Sequence, residues 1–280
     1  MESTVTSDAE SRGAAGDAIR ILQVSDLHFF GGGVTPTAMF GMDTEQSFVA
    51  TAAAALESVA GPDLVLATGD LVQKVEPEAY RRVRERLLAF PCPIYCLPGN
   101  HDDAGLMRRE LVGEPIRWQC SIPLDHWQII CLDSTIPNEP QGRLSPDQLK
   151  RLETLLAGDS RRFALIALHH HPVPCGSRWM DSMLLENSDE FFSILARHEQ
   201  VRGVAFGHVH QEMDLRHHGL RILGAPSTCF QFKPNSAGFA LEPLPPGFRW
   251  LRLFPDGRIE TEVGRAQHLP EGLDFSQQGY

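Results

Sequence analysis

The sequence predicts an α/β fold made of two α/β halves followed by an antiparallel portion. Three observations predict it. Apolar runs of strand length alternate with amphipathic stretches of helix length through the first half. The same alternation returns, less regularly, in the second half. After residue 213 the pattern changes to hairpin-like runs turning at His218-Gly219 and Asp256-Gly257. The 280 residues suit one compact unit with a substantial core, and there is no low-complexity tract or solenoid period.

Taken in order, "RILQVSD" (20–26) reads as a buried strand. A helix over 44–60 follows, opened by Asp43 with Gln46 three residues on in a capping-box arrangement. "PDLVLATGD" (62–70) is a second strand, "PEAYRRVRERLLAF" (77–90) a helix with proline at its start, and "CPIYCLPGN" (92–100) a third strand. This βαβαβ order implies parallel strands with right-handed crossovers. In the second half "WQIICLDS" (127–134), "RFALIAL" (162–168) and "VRGVAFG" (201–207) read as strands. Between them lie helices over 145–157, with Ser145 as cap, Pro146 at the first position and Gln148 closing the box, and over 187–198. The segments 213–227 and 248–263 read as antiparallel hairpins.

Composition narrows the function. Hydrophobic content of 42% and charged content of 22% are ordinary for a soluble enzyme. No apolar run approaches the roughly 20 residues of a membrane span. Residues 1–19 are polar and acidic, without a basic start or an apolar stretch of signal length, and read as a flexible arm on a cytoplasmic protein. A net charge of −11 argues against nucleic-acid or anionic-membrane partners, so an anionic substrate must meet a local positive charge such as a metal. The six cysteines are scattered without a CxxC pair and read as reduced, structural thiols.

The polar residues collect at strand ends, beyond which open α/β sheets bind ligands. Those ends read "SDLH" (Asp26, His28), "TGD" (Asp70), "PGNHDD" (Asn100, His101, Asp102), "HHH" (169–171) and "GHVH" (His208, His210). Each alone is an ordinary polar turn. Five such turns all supplying His, Asp or Asn are not. Asp26 and His28, like His208 and His210, are two residues apart, which in extended backbone places both side chains on one side. Gly69, Gly99 and Gly207 beside them permit close backbone approach. Three consecutive histidines leaving a strand cannot all face one cleft. His169, first after the strand, is the expected ligand, with His170 a packing neighbour and His171, before Pro172, at the cleft wall.

This order of blocks, D-x-H, GD, GNHD, H and GHxH, resembles the signature of the calcineurin-like metallophosphoesterases. "ILQVSDLH", "LVLATGDLVQ", "LPGNHD", "LHHHPVP" and "GHVHQEMDL" are similar more closely still to the bacterial class III 3′,5′-cyclic AMP phosphodiesterases, from residue 20 to the end. The resemblance implies a four-layer α/β/β/α sandwich over 20–264, a tail over 265–280, and a dinuclear site. Asp26, His28 and His210 would hold one metal, Asn100, His169 and His208 the other, and Asp70 would bridge them. His101 would face the phosphate, with Asp102 orienting its ring, and Asn100, His28 and His210 would border the substrate.

The ligand set of imidazole, carboxylate and amide, without thiolate, suits two divalent ions, Fe2+ or Mn2+ foremost and Zn2+ or Co2+ next. Two metals roughly 3.5–4 Å apart can activate a water and clamp an in-line displacement at phosphorus. The closer resemblance implies hydrolysis of 3′,5′-cyclic AMP to 5′-AMP, with a glycerophosphodiester or nucleotide-sugar as the alternative substrate that fold and metal site also allow. The expected partner is this small molecule alone, with no nucleic acid or membrane, in a monomer or homodimer. For the segment 227–235 two readings stand: Phe230, Phe232 or Trp179 stacks on adenine, or these aromatics pack the core.

Overall fold

The computed structural model describes residues 18–32, 38–58 and 61–279. The arm expected over 1–19 therefore lies, up to residue 17, outside the described residues, as do the last two positions of the helix expected over 44–60.

Two six-stranded sheets face each other. In the first, Ile19–Val24, Leu64–Thr68, Ile94–Leu97 and the short Ile116–Arg117 run parallel. In the second, Trp127–Cys131, Phe163–Ala167, Val201–Phe206 and Leu220–Gly224 run parallel, with Ser121–Pro123 and Met213–His217 antiparallel at the two edges.

Successive side chains of a strand point to opposite faces, and the core divides accordingly. Leu64, Leu66, Tyr95 and Leu97 meet Ile129, Leu165, Ala205 and Leu223 between the sheets. Val65, Ala67, Ile94 and Cys96 point outward onto helices. These are α1 (Thr44–Ser58), α2 (Pro77–Leu87) and α3 (Ala104–Glu110). On the far side Ile130, Ile166, Val204 and Ile222 pack against Leu152 and Leu156 of α4 (Pro146–Gly158) and Phe191 and Leu195 of α5 (Ser188–Leu195). The layers are therefore α/β/β/α, as expected. Among the described residues no helix is long and apolar enough to cross a membrane.

The caps follow the sequence. Asp43 Oδ1 accepts the Glu45 and Gln46 N–H groups at 2.9 and 3.0 Å, and Ser145 accepts the Gln148 N–H at 3.2 Å. Helix α2 ends three residues earlier than expected because the N–H groups of Ala89 and Phe90 bond back to Arg86 and Leu87, tightening the chain out of the helix. Helix α3, capped by the Asp103 carboxylate, escaped the sequence reading because it spans only seven residues.

Both C-terminal hairpins form as expected, Met213–His217 with Leu220–Gly224 and Gly247–Leu253 with Ile259–Arg265, and each joins one of the two sheets. Leu220–Gly224 pairs parallel with Val201–Phe206 inside the second sheet, while Gly247–Leu253 pairs antiparallel with Ile19–Val24 and so extends the first. Arg249, buried from solvent, ties these additions together by donating to the Met213 and Gly224 carbonyls, each at 2.9 Å. The result aims the carboxyl ends of both parallel sets at one place.

Candidate metal centre

Asp26, His28, Asp70, His208 and His210 all have left-handed backbone, with φ between 47° and 68°. Non-glycine residues seldom adopt this conformation, and it persists only where surrounding bonds enforce it. Here they do. Asp26 N–H donates to Gly69 O and His28 N–H to Asp70 O, each at 3.0 Å, and His208 N–H donates to Asp26 Oδ1 across the two sheets at 3.0 Å. The paired residues thus converge as expected, but through left-handed turns and not through extended backbone.

Two clusters result. His28 Nε2 and His210 Nε2 lie 3.2 Å apart, with Asp26 Oδ1 3.5 Å from the latter. His169 Nε2 lies 3.4 Å from Asp70 Oδ2 and 3.2 Å from Asn100 Oδ1. The His208 ring sits 5.0 Å from that of His169, edge to face. Asp70 Oδ2 is also 3.9 Å from His28 Nε2, so this carboxylate stands between the clusters. Apart from the partly exposed Asn100, all of these residues are buried.

The donor chemistry fits metal ions. His169 Nδ1–H donates to Thr68 O at 2.7 Å, and His210 Nδ1–H donates to Phe230 O at 2.9 Å. A carbonyl only accepts, so each Nδ1 carries a proton and each Nε2 is aimed into the cluster, the orientation a metal-binding histidine needs. For His169, Nε2 meets two oxygens that are themselves acceptors, an arrangement that a proton or a metal cation resolves. His208 Nε2 is buried without a hydrogen-bond partner.

The electrostatics agree. Burial opposes a charge on His169, yet Asp70 outweighs it and pushes this histidine up to about 9. Burial likewise opposes the Asp70 charge, but His169 and His101 hold its carboxyl well below the usual range. Burial, reinforced by neighbouring imidazoles, drives His208 down, and burial takes His28 to about 3. Without metal, His28 and His208 are held neutral while His169 carries a proton beside the ionised Asp70, so the centre favours positive charge next to that carboxylate.

The other two histidines of the run are accounted for differently. His170 Nδ1 pairs with Ser134 Oγ at 2.8 Å, in keeping with a packing neighbour. His171 is not at a cleft wall: it is fully buried, with Nε2 3.5 Å from Asp181 Oδ1 and its ring stacked on His208 at 5.5 Å. The turn at Met180–Met183 brings Asp181 in to cover it.

The role expected for Asp102 also needs correction. Its carboxylate accepts from Gly99 N–H (2.9 Å), Leu71 N–H (3.1 Å), Val72 N–H (3.4 Å) and Tyr80 O–H (3.1 Å). It clamps the turns rather than the ring. His101 Nδ1 instead lies 3.3 Å from the Gln73 carbonyl, a contact made by backbone and therefore invisible in residue type. His101 N–H donates to Asp70 Oδ1 at 2.9 Å, which seats the residue against the centre.

Of the two readings of segment 227–235, packing holds for Phe230 and Phe232. Both are fully buried, and Phe232 stacks on His210 at 4.3 Å. Trp179 packs edge-on to Phe232 at 4.9 Å. All six cysteines are free thiols.

The sequence profile of the calcineurin-like phosphoesterases matches residues 19–212. Two curated relatives, both 3′,5′-cyclic adenosine monophosphate phosphodiesterases CpdA, extend the likeness to nearly the whole chain. That of Pseudomonas aeruginosa is 38% identical and aligns over 94% of this chain and 96% of its own length. That of Escherichia coli K12 is 39% identical, over 95% and 97%. Among solved structures, a dimetal phosphatase from Danio rerio superposes with a TM-score of 0.59 at 15% identity, covering 90% of this chain and all of the other, a likeness of fold alone. With the profile spanning most of the chain and the metal-capable residues gathered where the two sheets end, the chain belongs to the calcineurin-like phosphoesterase family.

Proposed function

We propose that this chain hydrolyses 3′,5′-cyclic AMP to 5′-AMP, with residues 20–264 as the catalytic domain. The observation that carries this reading is the near full-length likeness to cyclic AMP phosphodiesterases in a chain whose Asp26, His28, Asp70, His169, His208 and His210 gather in groups able to hold metal. Asp26, His28 and His210 would hold one metal, Asn100, His169 and His208 the second, and Asp70 both. When bound, two divalent ions, Fe2+ or Mn2+ foremost, would activate water and offset charge on the phosphoryl oxygens.

The chain's own residues would do the rest. His101, its Nδ1 3.3 Å from Gln73 O, would face the phosphate. In its imidazolium form it would stabilise the charge gathering on phosphorus and give a proton to the departing O3′. Water adds to phosphorus opposite O3′, the P–O3′ bond breaks, and the proton that water loses is matched by the one O3′ receives. The net charge of −11 supports a small-molecule substrate over a nucleic-acid or anionic-membrane partner.

The test is to incubate metal-analysed protein with cyclic AMP, cyclic GMP and bis(p-nitrophenyl) phosphate, with and without Mn2+ or Fe2+, and to separate the products. Metal-dependent 5′-AMP formation with cyclic AMP preferred is the expected result. Hydrolysis of the generic diester alone would transfer the site to another small phosphodiester, and no hydrolysis with two metals bound would make the protein a non-catalytic binder.

A further inference from the structure

We propose that Tyr80 is a positioning residue for His101, acting through the turn that carries it; the inference rests on the reading of His101 as proton donor to the leaving group.

Tyr80 lies on the inner face of α2, where its buried companions are Ala79, Val83 and Leu87. A hydroxyl on such a face is costly to bury unless it is hydrogen-bonded. It is bonded twice, and both partners directly follow His101. The Tyr80 hydroxyl donates to Asp102 Oδ1 at 3.1 Å and accepts the Asp103 N–H at 2.8 Å. Its proton is always available, because burial and the Asp102 charge raise the phenol above its ordinary range.

From Asp102 the clamp reaches both groups that hold His101. Asp102 Oδ2 accepts from Leu71 N–H and Gly99 N–H, and Oδ1 from Val72 N–H. Residues 71 and 72 connect Asp70, whose carboxylate receives the His101 N–H, to Gln73, whose carbonyl holds the His101 ring. Asp103 in turn caps α3 through the Leu106 N–H at 2.6 Å. One hydroxyl therefore joins α2, α3, the segment after the Leu64–Thr68 strand and the turn bearing Asn100 and His101. Without it the Asp103 N–H loses its partner, and His101 is free to shift against Asp70 and Gln73.

Leaving-group dependence separates positioning from plain structural support. The alkoxide leaving cyclic AMP needs a proton, whereas p-nitrophenolate departs without one. In metal-loaded full-length protein, Tyr80→Phe should keep two metals per chain and leave KM for cyclic AMP within about twofold. It should lower kcat for cyclic AMP roughly tenfold and change bis(p-nitrophenyl) phosphate turnover by less than about twofold. In the His101→Ala background it should add no further loss. Equal losses on both substrates, a multiplicative loss in the double variant, or unchanged kinetics would each overturn the proposal. If Tyr80→Phe does not fold, Asp102→Asn must show the same dependence on the leaving group, and equal losses there would overturn it. Should the wild-type protein cleave the nitrophenyl diester but not cyclic AMP, the functional reading fails by itself. The comparison is then run with a glycerophosphodiester, whose leaving alkoxide is equally poor.

Discussion

The Nδ1 of His169 donates to the Thr68 carbonyl at 2.7 Å, and this bond turns one histidine of three consecutive ones into the candidate metal centre. It fixes the ring so that Nε2 faces Asp70 and Asn100. His171, two residues on, is turned toward Asp181 instead.

The two histidines should therefore separate by experiment. His169→Ala should bind about one metal per chain in place of two and lose nearly all turnover. His171→Ala should keep both metals while losing about 2 kcal/mol of stability, since a fully buried ring is removed. Metal analysis beside thermal unfolding decides the matter. Depleted metal in His171→Ala, with full loading in His169→Ala, would reverse the assignment.

The same histidine gives the metal-free protein a pH dependence whose sign can be worked out. Burial resists its charge but Asp70 prevails, so His169 titrates at about 9 in the folded state, above the 6.5 of an unfolded chain. A raised value stabilises the fold fully below about 6.5, and that contribution is lost as pH rises through about 9. The neighbouring His28, taken by burial to about 3, acts in the opposite direction and only below 6.5, outside this window. Chelated protein should thus lose stability between pH 6.5 and 9. Metal-loaded protein, in which a fixed cation replaces the proton, should not, and metal affinity should rise over the same interval. Urea midpoints at several pH values, with and without chelator, test this; parallel curves would refute it.

Reading the sequence picked out the side chains that converge at the candidate centre but not the means by which they are held. Asp26, His28, Asp70, His208 and His210 were legible because each combines a metal-capable side chain with a strand end. Their left-handed backbone was not legible, since it is enforced by bonds such as His208 N–H to Asp26 that cross 182 positions of sequence. The partner of His101 was hidden because Gln73 acts through its carbonyl, which every residue possesses. Asp102 was misread for a related reason: three of its four donors are backbone N–H groups, and the fourth, Tyr80, lies 22 positions away on a helix. The helices were placed by period and caps, but where the C-terminal hairpins attach depended on distant strands, and only the fold reveals that they complete both sheets.

Two glycines provide a final, paired prediction. A Cβ at Gly99 would collide with the carboxylate and backbone nitrogen of Asp70 and would lie 2.8 Å from His169 Cε1. Both neighbours are buried and anchored, Asp70 by the His101 N–H and His169 by Thr68 O, so neither can yield cheaply. Gly219, in the hairpin turn, has open space around its Cβ position but a φ of +82°. Gly219→Ala should therefore lose about 1 kcal/mol of stability from backbone strain and keep full activity with both metals. Gly99→Ala should lose about 1–3 kcal/mol through overpacking, together with bound metal and turnover of order 100-fold, because the displaced atoms belong to the shared carboxylate. Metal content separates the two effects most directly. Full loading in Gly99→Ala would mean that the centre tolerates movement of Asp70, and the bridging role assigned to that residue would have to be abandoned.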